Sequence, residues 1–145
     1  MISFCCPSRG RPKLAKRLIE TACENQDGNT EFLFYLNDDD PKLEEYKDLL
    51  DEKHYTIGPN QSTCFSWNIM CEKAQHDIVM LMGDDVQVLT EHWDTMIVEQ
   101  INKYNDKILM VVPSDGREKT AGKLGNEVKL WPDEPLGAAH FAVHK

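Results

Sequence analysis

The chain has 145 residues, a formal net charge of −9 at pH 7 and a hydrophobic fraction of 41%. A chain of this length is expected to form one domain that buries roughly 70% of its unfolded surface. The acidic excess argues against broad nucleic-acid binding, because phosphate backbones are bound by clustered lysine and arginine. No apolar stretch approaches the roughly 20 residues of a membrane-spanning helix, and no signal-peptide pattern opens the sequence. We therefore predict no membrane span and a cytoplasmic location.

The five cysteines are odd in number and contain no Cys-x-x-Cys pair. Cys5 and Cys6 lie in an apolar run, where cysteine behaves as a small buried hydrophobe. Because neither a metal-ligand spacing nor a disulfide framework is present, we predict reduced thiols in a reducing compartment.

Strand and helix patterns alternate along the first part of the chain. Short apolar runs that end at proline, glycine or acidic residues predict strands, and apolar residues at helical spacing predict helices. Pro12 stands where a helix can begin, because its missing amide hydrogen is not needed there. The predicted elements are a strand over 2–6 that ends at Pro7, a helix over 12–22, a strand over 31–36, a helix over 43–50 and a strand over 55–57.

The same alternation continues through the second part of the chain. Ser62 is the expected N-cap of a helix that extends to Ala74. The most apolar run, residues 78–82, predicts a central buried strand. The remaining predictions are a helix opening at Thr90 or Glu91, a strand over 108–112, a long loop over 114–135, a last strand over 141–143, and core positions for Trp67 and Trp93.

Alternating strands and helices predict an α/β fold, a single Rossmann-like domain with a mostly parallel sheet and helices on both faces. Ligands of such sheets bind beyond the carboxyl ends of the strands. Four polar segments follow predicted strands and should meet at that edge: residues 7–12, 37–40, 83–85 and 113–116.

Asp84 and Asp85 follow the central strand directly, after Gly83, whose backbone can turn sharply. Paired carboxylates on such a turn suit Mg²⁺ or Mn²⁺, which take oxygen ligands and share substrate phosphates. The alternative is that the pair only ends a strand and caps the next helix. The acidic segment 37–40 and the nearby arginines favour a site, because like charges held together need neutralisation.

Positive side chains cluster once, at Arg9, Arg11, Lys13, Lys16 and Arg17. In an acidic protein, such a small basic patch is typical of a site for a compact anionic ligand. The alternative is a solvated first helical turn.

Four segments of the chain resemble the GT-A fold of family-two-like glycosyltransferases. The resemblance covers a first strand with its nucleotide-binding loop, the acidic end of the second strand, a helix followed by the strand with the DxD-type motif, and a glycine-containing segment after the donor site. These segments are residues 2–12, 37–39, 67–85 and 136–141.

The resemblance implies a site for a sugar linked to a nucleoside diphosphate, with UDP as the expected nucleotide. It implies that Asp85 coordinates Mn²⁺ or Mg²⁺ and that Asp84 shares the metal or contacts the ribose. Asp39 or Asp38 would hydrogen-bond the base. The full set of implied donor-binding residues is Pro7, Ser8, Arg9, Arg11, Asp38, Asp39 and Asp84.

The chain departs from the family pattern at three points. Met82 stands where a full DxD triplet has its first acid, and no arginine occurs between residues 54 and 76. Relatives continue into an acceptor region that carries the catalytic base. Residues 1–145 are expected to form one donor-binding domain without this region, as a fragment, a minimal form or a domain whose base lies elsewhere. Asp115 is a candidate base, and His140 is a candidate metal ligand.

These patterns predict a metal-dependent glycosyltransferase that acts on an unidentified acceptor. Two alternatives remain. One is a non-catalytic sugar-nucleotide-binding module or truncated glycosyltransferase domain. The other is a nucleotidyltransferase, which would carry a glycine-rich loop with a lysine after the first strand, whereas this loop has the single Gly10.

Overall fold

The centre of the computed structural model is a six-stranded sheet, and the structure describes residues 1–28, 30–113 and 141–145. The strands are β1 Ile2–Ser8, β2 Glu31–Asn37, β3 Tyr55–Gly58, β4 Ile78–Leu81, β5 Met110–Val111 and β6 Phe141–His144. Their order in the sheet is β3-β2-β1-β4-β6-β5. β1 pairs in parallel with β2 and β4, and β2 in parallel with β3, whereas β6 is antiparallel to both β4 and β5. The predicted mostly parallel sheet is confirmed.

Helices cover both faces of this sheet. They are α1 Pro12–Glu24, α2 Leu43–Leu49, α3 Thr63–Lys73 and α4 Trp93–Asn102, with a 3-10 helix over Glu52–His54. Phe4 of β1 packs in a large core cluster with residues of α1, α2 and α4. The next residue, Cys5, packs in a smaller cluster with Met70 of α3. Because successive strand residues point to opposite faces, the two clusters lie on opposite sides of the sheet.

Several sequence predictions are confirmed in detail. Pro12 is in the first turn of α1, and the Ser62 hydroxyl caps α3 by accepting a hydrogen bond from the Phe65 amide at 3.2 Å. Trp93 is buried and donates to the Ala22 carbonyl at 3.0 Å. The core position predicted for Trp67 is met only in part, because this side chain is half-buried and packs against the smaller cluster.

The prediction that β1 ends at Pro7 is wrong, because the strand continues to Ser8. The Cys5 carbonyl accepts from the Met82 amide at 3.0 Å, so the Cys5 backbone faces β4. The backbone groups of successive residues in a strand face opposite neighbours, so the backbone nitrogen of Pro7, two residues after Cys5, also faces the β4 side. At this level β4 has already ended. The missing amide of Pro7 thus breaks no pair with β4.

β5 and α4 also differ from the predictions. β5 has two residues rather than five, and Ile108 is 85% exposed beside it at the sheet edge. α4 begins at Trp93 rather than at Thr90 or Glu91, because tertiary bonds set its start. The His92 amide donates to the Asn25 carbonyl at 2.8 Å, and the Asp94 carboxylate accepts from two amides of the loop before β2.

Cys5 and Cys6 are fully buried, and all five cysteines are free thiols, as predicted. Within the part of the chain that the structure describes, no helix combines the length and the apolar character needed to cross a membrane.

Gly58 ends β3 against the ring of Tyr35. A Cβ at residue 58 would lie 3.0 Å from Tyr35 Cζ and closer still to its hydroxyl oxygen. That hydroxyl donates to the Pro59 carbonyl at 3.0 Å, so it cannot move without losing this bond. We expect Gly58→Ala to lower the free energy of unfolding by about 1–3 kcal/mol, measured by urea denaturation.

A variant of Tyr35 tests this cause of the Gly58→Ala loss. In a Tyr35→Phe background the nearest clashing atom is gone, so the loss caused by Gly58→Ala should be smaller. An equal loss in both backgrounds would show that the tyrosine hydroxyl is not responsible.

Candidate functional site

The candidate site lies at the edge of the sheet where β1, β2 and β4 end. Ser8 is the last residue of β1, Asn37 ends β2 and Leu81 ends β4. Since these strands are parallel, the polar segments that follow them meet at one edge. Two groups of side chains form there, one buried and centred on Asp84, the other exposed and centred on Asp39.

The Asp84 carboxylate is the centre of a buried polar network. Its Oδ2 atom accepts a hydrogen bond from the Ser8 hydroxyl, and its Oδ1 atom lies 2.6 Å from Nη2 of Arg11. The Ser8 hydroxyl oxygen is 2.6 Å from that of Tyr46, which accepts a further bond from the Arg11 amide at 2.9 Å. The network thereby joins the loop after β1 to α2 and to the turn after β4.

The electrostatics of Asp84 follow from this burial. Burial raises the pKa of the Asp84 carboxyl above its usual value, whereas the Ser8 hydrogen bond and the Arg11 charge lower it and the neighbouring Asp85 raises it. The Oδ1 atom is buried and, among the described residues, accepts no hydrogen bond. Its contact with Arg11 is therefore an ion pair without hydrogen-bond alignment.

The exposed group joins the loops after β1, β2 and β3. Arg9 forms an ion pair and hydrogen bond with Asp39 Oδ1, and Asn60 donates to Asp39 Oδ2 at 3.3 Å. The Arg9 bond holds the pKa of the Asp39 carboxyl below its usual value. Asp38 beside it is exposed, and its amide donates to the Gly58 carbonyl at 2.8 Å.

Sequence reasoning missed the roles of two residues of the site. Asp40 is buried and accepts from the Gly10 amide at 2.7 Å and the Lys42 amide at 2.9 Å, so it holds the loop after β1. Gly10 has a φ of 70°, a conformation that glycine adopts at little cost. Tyr46 lies within the predicted helix over 43–50, to which the sequence assigned no part of the site. Nothing in the local pattern indicates which distant groups its hydroxyl meets.

Asp85 is exposed on the turn beside Asp84. Within the described residues, no group of three or more His, Cys, Asp or Glu side chains could hold a metal ion. Mg²⁺ and similar ions are commonly held by one or two carboxylates, with waters and substrate phosphates completing the shell. Asp85 is an exposed carboxylate, and Asp84 Oδ1 beside it is buried and accepts no hydrogen bond among the described residues. These two groups fit an ion whose shell is completed by waters or by a phosphate, and do not fit a site made of protein ligands alone.

Of the other predicted site residues, Pro7 is half-buried at the end of β1. Asp115 and His140 lie outside the described residues.

Two clefts lie at the opposite edge of the sheet. One, of about 250 Å³, is lined by residues that include Met1, Asp77 and His144. The other, of about 380 Å³, is lined by residues 106–110, Val143 and His144. The candidate site is thus defined by its polar network rather than by either cleft.

No family model and no curated protein matches the chain. Among solved structures, it is similar to the mannosyltransferase PcManGT from Pyrobaculum calidifontis in complex with GDP-Man and Mn²⁺. That match has a TM-score of 0.49 and 11% identity over 61% of this chain and 28% of that chain.

The chain is also similar to S. aureus TarS. For residues 1–349 of TarS the TM-score is 0.49, with 13% identity over 70% of this chain and 33% of that chain. For a further TarS structure the TM-score is 0.48, with 15% identity over 68% of this chain and 19% of that chain. The chain spans a third or less of each of these structures, and a similarity of this strength carries no conclusion about activity.

Proposed function

We propose that the chain binds a nucleoside-diphosphate sugar, with UDP as the nucleotide, and transfers the sugar to an acceptor with the help of Mn²⁺ or Mg²⁺. The observation that carries the proposal is the meeting of two arginines with the Asp84-Asp85 pair at the carboxyl edge of a parallel sheet. Ligands of such sheets bind at this edge.

The charges at this edge suit a diphosphate together with a cation. Arg9 and Arg11 have half-exposed side chains, which are suited to phosphate oxygens. The carboxylates of Asp84 and Asp85 would repel a diphosphate unless a positive ion lay between them. When bound, Mn²⁺ or Mg²⁺ supplies Lewis-acid stabilisation of the departing diphosphate.

Each residue has a role in this proposal. Asp85 holds the metal ion, and Asp84 shares it or contacts the ribose. The base meets Asp38 or Asp39, and the rest of the donor-binding surface is formed by Pro7, Ser8, Arg9 and Arg11. Because Asp39 is already bonded to Arg9 and Asn60, a base that uses this carboxylate must share or replace those bonds.

The bonding of the site favours donor binding more than it favours a complete catalytic centre. Asp39, Asp40 and Asp84 are each held by two partners, so none is free to take a proton from an acceptor hydroxyl. The candidate base Asp115 lies outside the described residues. A non-catalytic sugar-nucleotide-binding module is therefore the second candidate function.

Thermal denaturation with a panel of nucleotide sugars, with and without Mn²⁺, tests the proposal. A UDP-sugar at 100 times its Kd should stabilise the chain by about 2.7 kcal/mol, and most of this stabilisation should need Mn²⁺. Failure of every nucleotide to change the Tm would rule out both candidate functions. Metal-dependent binding without release or transfer of sugar from any donor would favour the binding module.

A further inference from the structure

The two partners of the Arg11–Asp84 ion pair differ sharply in exposure. The Arg11 side chain is 50% exposed and the Asp84 side chain is 0% exposed. Asp84 Oδ1 is buried, lies 2.6 Å from the guanidinium and accepts no hydrogen bond among the described residues. Asp84 Oδ1 thus has lone pairs that accept no hydrogen bond among the described residues and face the Arg11 guanidinium. Because the Arg11 side chain is half-exposed, it can rotate away from Asp84 into solvent.

We propose that Arg11 occupies the position of the metal ion against Asp84 in the ligand-free chain and leaves it when a diphosphate binds. The guanidinium then moves to the phosphate oxygens, and the divalent cation takes its place at Asp84 Oδ1. The identity of the ligand rests on the function proposed above, whereas the competition between Arg11 and the cation does not.

A buried carboxylate needs a positive partner in every state. The Ser8 hydroxyl gives Asp84 one hydrogen bond, which does not neutralise its charge. An ionised carboxylate without a counter-charge is costly to bury. If a metal ion replaces the guanidinium, Asp84 has a positive partner both before and after the exchange. The planar guanidinium can then form paired hydrogen bonds with phosphate oxygens, which its geometry matches.

The backbone at Arg11 is anchored, whereas its side chain is half-exposed and is held by the ion pair with Asp84. The Arg11 amide donates to the Tyr46 hydroxyl, and Pro12 starts α1 immediately afterwards. An exchange of partners therefore needs only side-chain rotation, with the loop after β1 held in place.

Arg9 offers a matched comparison from the same loop. It pairs with Asp39, whose side chain is 53% exposed and therefore solvated by water. Removing Arg9 leaves no buried carboxylate without a counter-charge, and an exposed pair contributes little. Competition with a cation at Asp84 should therefore be specific to Arg11.

Titration with Mn²⁺ alone tests the exchange, with free Mn²⁺ followed by electron paramagnetic resonance and Tm measured in parallel. Without metal, Arg11→Ala should have a lower Tm than the wild type. It should bind Mn²⁺ about 10-fold more tightly, and Mn²⁺ should raise its Tm more. Lys47→Ala, which removes the cation of an exposed ion pair on α2 outside the site, should bind Mn²⁺ as the wild type does. The gain should disappear in the double variant Arg11→Ala with Asp84→Asn.

The exchange is wrong if Arg11→Ala binds Mn²⁺ with the same affinity as the wild type. It is also wrong if the double variant Arg11→Ala with Asp84→Asn still binds Mn²⁺ more tightly than the wild type. If Arg11→Ala does not fold, Arg11→Gln keeps most of the side-chain stem without its charge and carries the same comparison.

A second set of titrations adds UDP and separates this inference from the proposed function. In the wild type, UDP and Mn²⁺ should each tighten the binding of the other, and this coupling should shrink in Arg11→Ala. If no nucleotide binds the wild type, the proposed function fails, and the titration with Mn²⁺ alone still decides the competition. If UDP binds but Arg11→Ala gains no Mn²⁺ affinity, the exchange is wrong and the proposed function stands.

Discussion

Replacing Asp85 with alanine is expected to abolish the Mn²⁺-dependent part of the stabilisation by a UDP-sugar. Asp85 is exposed beside Asp84, so the variant should unfold within about 0.5 kcal/mol of the wild type without ligand. With a UDP-sugar and Mn²⁺, the wild type should gain about 2.7 kcal/mol at 100 times Kd. The variant should keep only the small part of this gain that arises without metal, from phosphate contacts of Arg9. Thermal denaturation measures both quantities.

Two controls sharpen the Asp85 experiment. Asp85→Asn keeps the shape of the side chain and removes its charge, so it should behave like the alanine variant. Asp48→Ala removes an exposed carboxylate of α2 and should leave the Mn²⁺-dependent shift unchanged. A full metal-dependent shift in Asp85→Ala would show that Asp85 does not hold the ion.

Removing the hydroxyl of Tyr46 is expected to destabilise the chain by about 1–3 kcal/mol. The side chain is fully buried, and its oxygen bonds both the Ser8 hydroxyl and the Arg11 amide. Tyr46→Phe leaves these groups with one partner fewer in a buried place. Tyr46→Ala also removes the ring from the core, so the loss should reach about 3–5 kcal/mol. Urea denaturation measures both losses.

The Tyr46 variants also connect stability with binding. Because the hydroxyl holds the loop that carries Ser8 and Arg11, Tyr46→Phe should weaken binding of a UDP-sugar as well. Tyr104, which is 40% exposed, offers the matched control, and Tyr104→Phe should change neither quantity. If Tyr46→Phe is as stable as the wild type, the network is not held by this hydroxyl.

Much of the fold could be predicted from local patterns. The starts of α1 and α3 follow from Pro12 and Ser62, because each meets a local requirement of a helix N-terminus. The course of β1 past Pro7 could not be predicted, since it depends on where β4 ends. The start of α4 likewise depends on bonds with the loop before β2, which is distant in sequence.

The candidate site was predictable to a lesser degree. The predicted parallel strand order correctly brought residues 7–12, 37–40 and 83–85 to one edge. Of the fourth predicted segment, residues 114–116 lie outside the described residues. The same rule says nothing about how their side chains pair. Asp40 was interpreted as one member of an acidic turn, yet it is buried and holds two backbone amides.

By itself, the sequence determined the alternation of strands and helices, the buried central strands and the strand ends that carry the site. These features depend on residue periodicity and local backbone preferences, which a single chain displays directly. Only the tertiary structure decided how the adjacent Asp84 and Asp85 differ. The turn after β4 directs Asp84 inward against Ser8 and Arg11 and leaves Asp85 exposed. Two adjacent aspartates have the same chemistry, so only their surroundings can make their roles differ. Those surroundings are contacts between the turn after β4 and the loop after β1, which are distant in sequence.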